Sequence, residues 1–222
     1  MFFDIQTIAH KEILEIRSSG MKLLTLLLFL SPSIILVLSS GEKSIFPINL
    51  SILIALFLTA VLSSGYITLD TIMGEKRSKM LDILLASGIS KFSIIIGKAI
   101  PSCNISTMLT LLSLFIMKLG LSDAKFDVNI LIIISLFLAS YFSACTTVAF
   151  TILIGDEKLT PVVGSVGLIG VIALFGYILN KLNINFDIKG SIIILIVLFS
   201  FSILITIIAA YLLKKISIIS KI

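Results

Sequence analysis

What most constrains this chain is a succession of long runs without a charged side chain. Uncharged stretches extend from Leu23 to Ser40, interrupted only by Pro32, and then from Ser44 to Leu69, Ala99 to Met117, Val128 to Gly155, Leu159 to Asn180 and Gly190 to Leu213. A helix rises ~1.5 Å per residue and a bilayer core is ~30 Å thick, so ~20 helical residues cross it. Six such runs predict an all-α, polytopic membrane protein with six transmembrane helices, forming a single transmembrane domain over residues 1–222. Charged residues make up 13% of the chain, about half the ~25% of a soluble domain. The connections are too short for a soluble domain, and GxxxxGK[ST] does not occur. Nucleotide hydrolysis, if the protein depends on it, would have to come from another chain.

The sparse charge is placed by location. Residues 1–22, 70–98, 156–158 and 214–222 hold twelve Lys and Arg, against five in the alternate connections. By the positive-inside rule both termini are expected in the cytoplasm of a multi-pass protein of the cell membrane. Residues 1–22 mix both charge signs and lack a small-residue cleavage pattern, so the first run reads as a retained span. The formal charge of +5 is thereby explained by topology, and no nucleic-acid partner is expected. Cys103 and Cys145 sit inside apolar runs without a neighbour at metal-ligand spacing, and read as packing residues. No metal site is expected.

Small and hydroxyl residues recur at helical spacing: Ser102, Ser106, Thr110 and Ser113 in the third run, Ser135, Ala139, Ser143, Thr147 and Thr151 in the fourth, with Gly164, Gly167 and Gly170 in the fifth. Close helix packing is the plainer reading of such faces, and lining of a substrate path the other. None of the six runs carries Asp, Glu, His or Lys, which an ion-coupled carrier would need at mid-membrane. Transport, if this chain performs it, takes its energy from elsewhere. No catalytic residue is expected for the same reason.

Segment 70–98 is the most informative connection. Gly74 is expected to interrupt the second span, and Ser87-Gly88 to end the next helix, leaving three turns from Glu75 to Ala86. On it, Met80, Leu81, Leu84 and Leu85 share one face, while Glu75, Ser78, Lys79 and Asp82 share the other. Lys76, Arg77 and Lys79 lie in the first turn, where the helix dipole disfavours cations. Anionic lipid head groups explain a basic surface helix. A groove on a protein partner explains the apolar stripe as well.

Residues 2–17 form a second amphipathic helix with Phe2, Ile5, Ile8, Ala9, Ile13 and Ile16 in one sector. Glu12 falls inside that sector. As an interfacial anchor the helix tolerates Glu12 at its edge; as a functional element, it would pair Glu12 with a cation from segment 70–98. Asp156 and Glu157 lie in a short inner connection that reads as a solvated turn or a further partner contact, with Thr160 and Pro161 placed to start the fifth span.

The stretch from Glu75 to Lys91, followed by Ile95-Ile-Gly-Lys98, resembles the signature of ABC type-2 exporter permeases. There an acidic-basic pair precedes Thr-Leu-Glu, Leu-Leu, small-Pro-Val-Ser and then Gly-Lys. Here Met80 stands where Thr is common, Asp82 for Glu, and Gly88 for Pro. Lys11-Glu12 resembles that family's N-terminal interfacial helix, and six spans with cytoplasmic termini fit its topology, so the likeness covers essentially the whole chain. The connection 181–189 is shorter than the one such permeases usually have.

The resemblance implies a coupling helix whose Glu75, Lys76, Arg77, Met80, Leu81, Asp82, Leu84 and Leu85 dock into a separate ATPase subunit. Two ATPase subunits and a second permease copy would complete the unit. ATP and Mg would sit on the partner, and this chain would hold no cofactor. The expected cargo is hydrophobic or amphipathic, such as a peptide, antibiotic or lipid-like solute. A membrane immunity or scaffold protein that recruits a cytoplasmic partner without transport is the competing reading.

The topology is directly testable. Alkaline phosphatase fused after residue 43 or 125 should be active, and fused after residue 89 or 158 inactive; the reverse pattern would invert the charge-based orientation.

Overall fold

The computed structural model describes residues 2–18, 25, 27–39, 48–121, 130–153, 196–201 and 203–211. Within them every regular element is a helix: α1 (Phe2–Ser18), α2 (Ser31–Ser39), α3 (Ile48–Arg77), α4 (Met80–Ala86), α5 (Lys91–Gly120), α6 (Ile130–Leu153) and α7 (Ile196–Tyr211). Three of these, at Ile52–Arg77, Lys91–Gly120 and Ile130–Thr151, are long and apolar enough to cross a membrane. These helices mark the chain as a membrane protein, all-helical among the described residues. The fifth expected span, Asp156, Glu157, Thr160 and Pro161 lie outside the described residues.

The helices α3, α5 and α6 pack against one another. The start of α5 meets the end of α3 through Lys98 and Glu75, and the end of α3 meets the end of α6 through Lys76 and Thr151. Thus α5 runs antiparallel to the other two. Along α1 the chain lies on α5, α2 lies on α3 and α5, and α4 folds back onto α3. Contacts between Tyr141 and Thr206, 3.4 Å apart, and the edge-on ring pair Phe142 and Phe201 attach α7 to α6.

The first uncharged run does not form one continuous helix. A turn at Phe29-Leu30, held by Leu30 N–H on the Leu27 carbonyl at 3.1 Å, precedes α2. The cause is Pro32, whose ring clashes with the carbonyl four residues back and whose nitrogen cannot donate, so it is accommodated in a first turn. At nine residues, α2 is ~14 Å long and does not itself cross a bilayer.

The hydroxyl faces anticipated in the third and fourth runs are buried between α3, α5 and α6. Ser106 Oγ lies 2.7 Å from Ser63 Oγ and 3.1 Å from Ser140 Oγ, and donates to the Ala60 carbonyl at 2.6 Å. Ser64 Oγ donates to the Ser140 carbonyl at 2.5 Å, and Ser143 Oγ to the Val61 carbonyl at 2.7 Å. These residues are fully buried within one chain, which favours the packing reading over pore lining. Without water to compete, small hydroxyl residues let backbones approach and add interhelical bonds. Gly164, Gly167 and Gly170 lie outside the described residues.

Replacing Ser106 by Ala removes bonds to two helices at once. We expect a loss of ~1 kcal/mol, from about 0.6 kcal/mol per membrane hydrogen bond, read as a lower unfolding midpoint in detergent. No change would show that the hub adds nothing to helix association.

Candidate functional site

At the end of the bundle shared by α1, the C-terminus of α3 and the N-terminus of α5, four charges converge. Lys98 Nζ donates to Glu12 Oε1 at 2.8 Å and lies 2.5 Å from Glu75 Oε2. Lys11 Nζ donates to Glu75 Oε1 at 2.6 Å and approaches Met80 Sδ at 3.6 Å. The Lys98, Glu12 and Glu75 side chains are 1%, 2% and 4% exposed, whereas that of Lys11 is 38% exposed. Two cations and two carboxylates therefore form a charge-neutral group that is buried on one side and open on the other.

Each helix explains its own contribution. On α1, Ile8, Glu12 and Ile16 fall at four-residue spacing and are all buried, so they form one stripe against α5. Gly97 makes that approach possible: a Cβ there would lie 2.9 Å from Ile8 Cγ2 and 3.3 Å from the Ile5 carbonyl. The next residue, Lys98, is then directed at Glu12. Of the two readings open for Glu12, pairing with a cation of segment 70–98 is the one the structure realises, at the centre of the buried stripe and not at its edge. Ile13, placed in the apolar sector by sequence, is instead 46% exposed.

The helix expected from Glu75 to Ala86 is divided. Gly74 does not interrupt α3, which continues through it to Arg77. A glycine inside a helix costs only ~1 kcal/mol, and the bonds of Glu75 to α1 and α5 and of Lys76 to the Thr151 carbonyl hold the helix beyond it. The break falls at Lys79, with φ 56°, after a turn closed by Lys79 N–H on the Lys76 carbonyl. The helix α4 is accordingly seven residues long. Its predicted stop is correct: Ser87 N–H bonds the Ile83 carbonyl at 2.9 Å, and Gly88 takes φ 78°, the left-handed region that glycine adopts without penalty.

The docking residues named from sequence consequently separate. Glu75 is buried in the ion cluster and not on an exposed polar face, because its two oxygens face Lys11 and Lys98. Lys76 turns inward to cap the end of α6. Leu81 is buried and Leu84 half-buried, while Arg77, Lys79 and Met80 are exposed. Ile83, absent from the predicted apolar face, is 65% exposed. The side chains of Asp82 and Leu85 lie outside the described residues.

Lys98 is the residue that sequence reasoning failed to place at the centre. Its signal was present in Glu12, a carboxylate inside an apolar sector that demands a buried cation. The uncharged runs also understate the helices: α3 and α5 extend past them and bring Glu75 and Lys98 to the cluster.

Electrostatically, Lys11 is held protonated. Partial burial works against its charge, but the hydrogen bond to Glu75, the charge of Glu75, and those of Glu12 and Glu15 outweigh it and raise its pKa above the ordinary lysine value. Glu12 Oε2 is buried without a hydrogen-bond partner among the described residues. This arrangement ties α1, α3 and α5 together, since each ammonium is paired with a carboxylate and each carboxylate with an ammonium. No cluster of three or more His, Cys, Asp or Glu with metal-binding geometry occurs among the described residues. No protein-family model matches the chain, and no curated protein matches it.

Removing one partner strands the other charges. Lys98→Met and Glu12→Gln should each destabilise by ~3–5 kcal/mol, the usual effect of breaking a buried pair, whereas the double variant should lose less than the sum of the two. Unfolding midpoints in detergent measure this. Additive losses in the double variant would mean the two residues are not coupled.

Proposed function

We propose that this protein is the transmembrane permease subunit of an ABC exporter, with six spans, driven by a separate ATPase chain that binds ATP and Mg. The observation that carries the reading is the position of α4. It is an exposed two-turn helix at the charged end of three long apolar helices, preceded by exposed Arg77 and Lys79 and showing Met80 and Ile83 outward. A partner with an apolar groove and an acidic rim would receive it.

The linkage behind α4 supports the same reading. Lys11 touches both Met80 in α4 and Glu75 in α3, and Glu75 touches Lys98 in α5. Displacement of α4 by a partner would act on two membrane-crossing helices and on α1 together. Both termini would face the cytoplasm, two ATPase subunits would serve two permease copies, and surrounding lipid would bathe the outer faces. The uncharged interior of the bundle fits hydrophobic or amphipathic cargo such as peptides, antibiotics or lipid-like solutes better than ions.

The docking face on this reading consists of Arg77, Lys79, Met80 and Ile83, with Leu81 and Leu84 holding α4 to the bundle. Ile83→Asp should lower copurification of the cognate ATPase at least about tenfold, as loss of a central apolar anchor does, and leave membrane insertion unchanged. Normal copurification in that variant would mean α4 is not the docking helix. A complex that forms but shows no solute-stimulated ATPase activity in lipid discs would favour the recruiting scaffold.

A further inference from the structure

The helix α5 presents a polar residue where the bilayer offers it nothing. From Lys98 to Lys118 is twenty residues, ~30 Å, which matches the hydrocarbon thickness. Asn104 lies within that interval, ~9 Å beyond Lys98. It is exposed, on the same outward stripe as Met108 at 72%, Leu111, Phe115 at 58% and Leu119. Its carboxamide makes no hydrogen bond to a described residue. An amide that faces hydrocarbon leaves two donors and an acceptor unsatisfied, which membrane proteins avoid.

We infer that this face of α5 is the contact between two copies of the chain, with Asn104 bonded to Asn104 of the second copy. The inference rests on the two-copy arrangement proposed above and assigns it a surface. Three features select a second copy as the occupant. Two copies in one membrane are related by an axis along the bilayer normal, so each residue meets its counterpart at the same depth. A carboxamide both donates and accepts, so it is complementary to itself. Between Lys98 and Lys118 the remaining stripe is uncharged and apolar, so within the hydrocarbon it packs against its own image without like-charge repulsion.

Disulfide crosslinking of the full chain in lipid discs tests the assignment. Asn104→Cys and Met108→Cys should give a dimer on oxidation, and Leu38→Cys on α2 and Leu204→Cys on α7 should not; the native Cys103 and Cys145 are buried and provide no background. Asn104→Leu, which alters an exposed residue and leaves the fold intact, should raise the dimer dissociation constant in detergent about tenfold. A dimer that crosslinks only through α2 or α7 overturns this face while leaving the permease reading in place. A particle that is monomeric by mass, with the Asn104→Cys thiol shielded from a membrane-permeant maleimide, also overturns it, because another segment of the same chain then covers the site. A dimer joined through Asn104→Cys that binds no ATPase sustains the inference and removes the permease reading.

Discussion

The rest of the structure depends on the burial of one ammonium group. Lys98 is 1% exposed at the start of a membrane-crossing helix, and a charge so placed is tolerated only where paired. Its two partners come from different helices, Glu12 from α1 and Glu75 from α3. That requirement fixes α1 against α5, carries α3 past Gly74 in helical form, and sets the level at which the chain leaves the bundle to form α4. The short helix is thus located by an ion pair that it does not itself contain.

Further into the bundle the chemistry changes from charge to hydroxyl. Ser63, Ser106 and Ser140 join three helices at fully buried positions, using side chains small enough to keep the backbones close. Outward surfaces of α2, α5 and α7 carry Ile, Leu, Phe and Met. Charge at one end, hydroxyls inside and hydrocarbon outside give each part of the bundle its own chemistry.

Much of this was legible in the sequence because it depends on local composition. The uncharged runs pointed to the helical class, Ser87-Gly88 marked the end of α4, and hydroxyl spacing identified the packed faces. Glu12 inside an apolar sector left two readings open, a tolerated edge position or pairing with a cation of segment 70–98, and the fold realises the second. What escaped was decided by tertiary contacts. Gly74 reads as a breaker in isolation, yet α3 runs through it because Glu75 and Lys76 are held from outside the helix. Ile83 became exposed and Glu75 buried because the break fell at Lys79, which turned the helical face relative to the pattern drawn from Glu75. Pro32, by contrast, had its effect where the backbone chemistry puts it, at the preceding turn.

The serine hub has a mechanical consequence. A hydroxyl hydrogen rotates freely about its C–O bond and can be directed at any acceptor within reach. Ser106 has three within reach: the Ala60 carbonyl, Ser63 Oγ and Ser140 Oγ. When neighbouring helices slide by a fraction of an ångström, one acceptor moves away as another comes closer, and the bond is exchanged and not lost. A sub-ångström shift of the helices would therefore trade one bond of Ser106 for another, an exchange that the ion pairs at the end of the bundle do not offer.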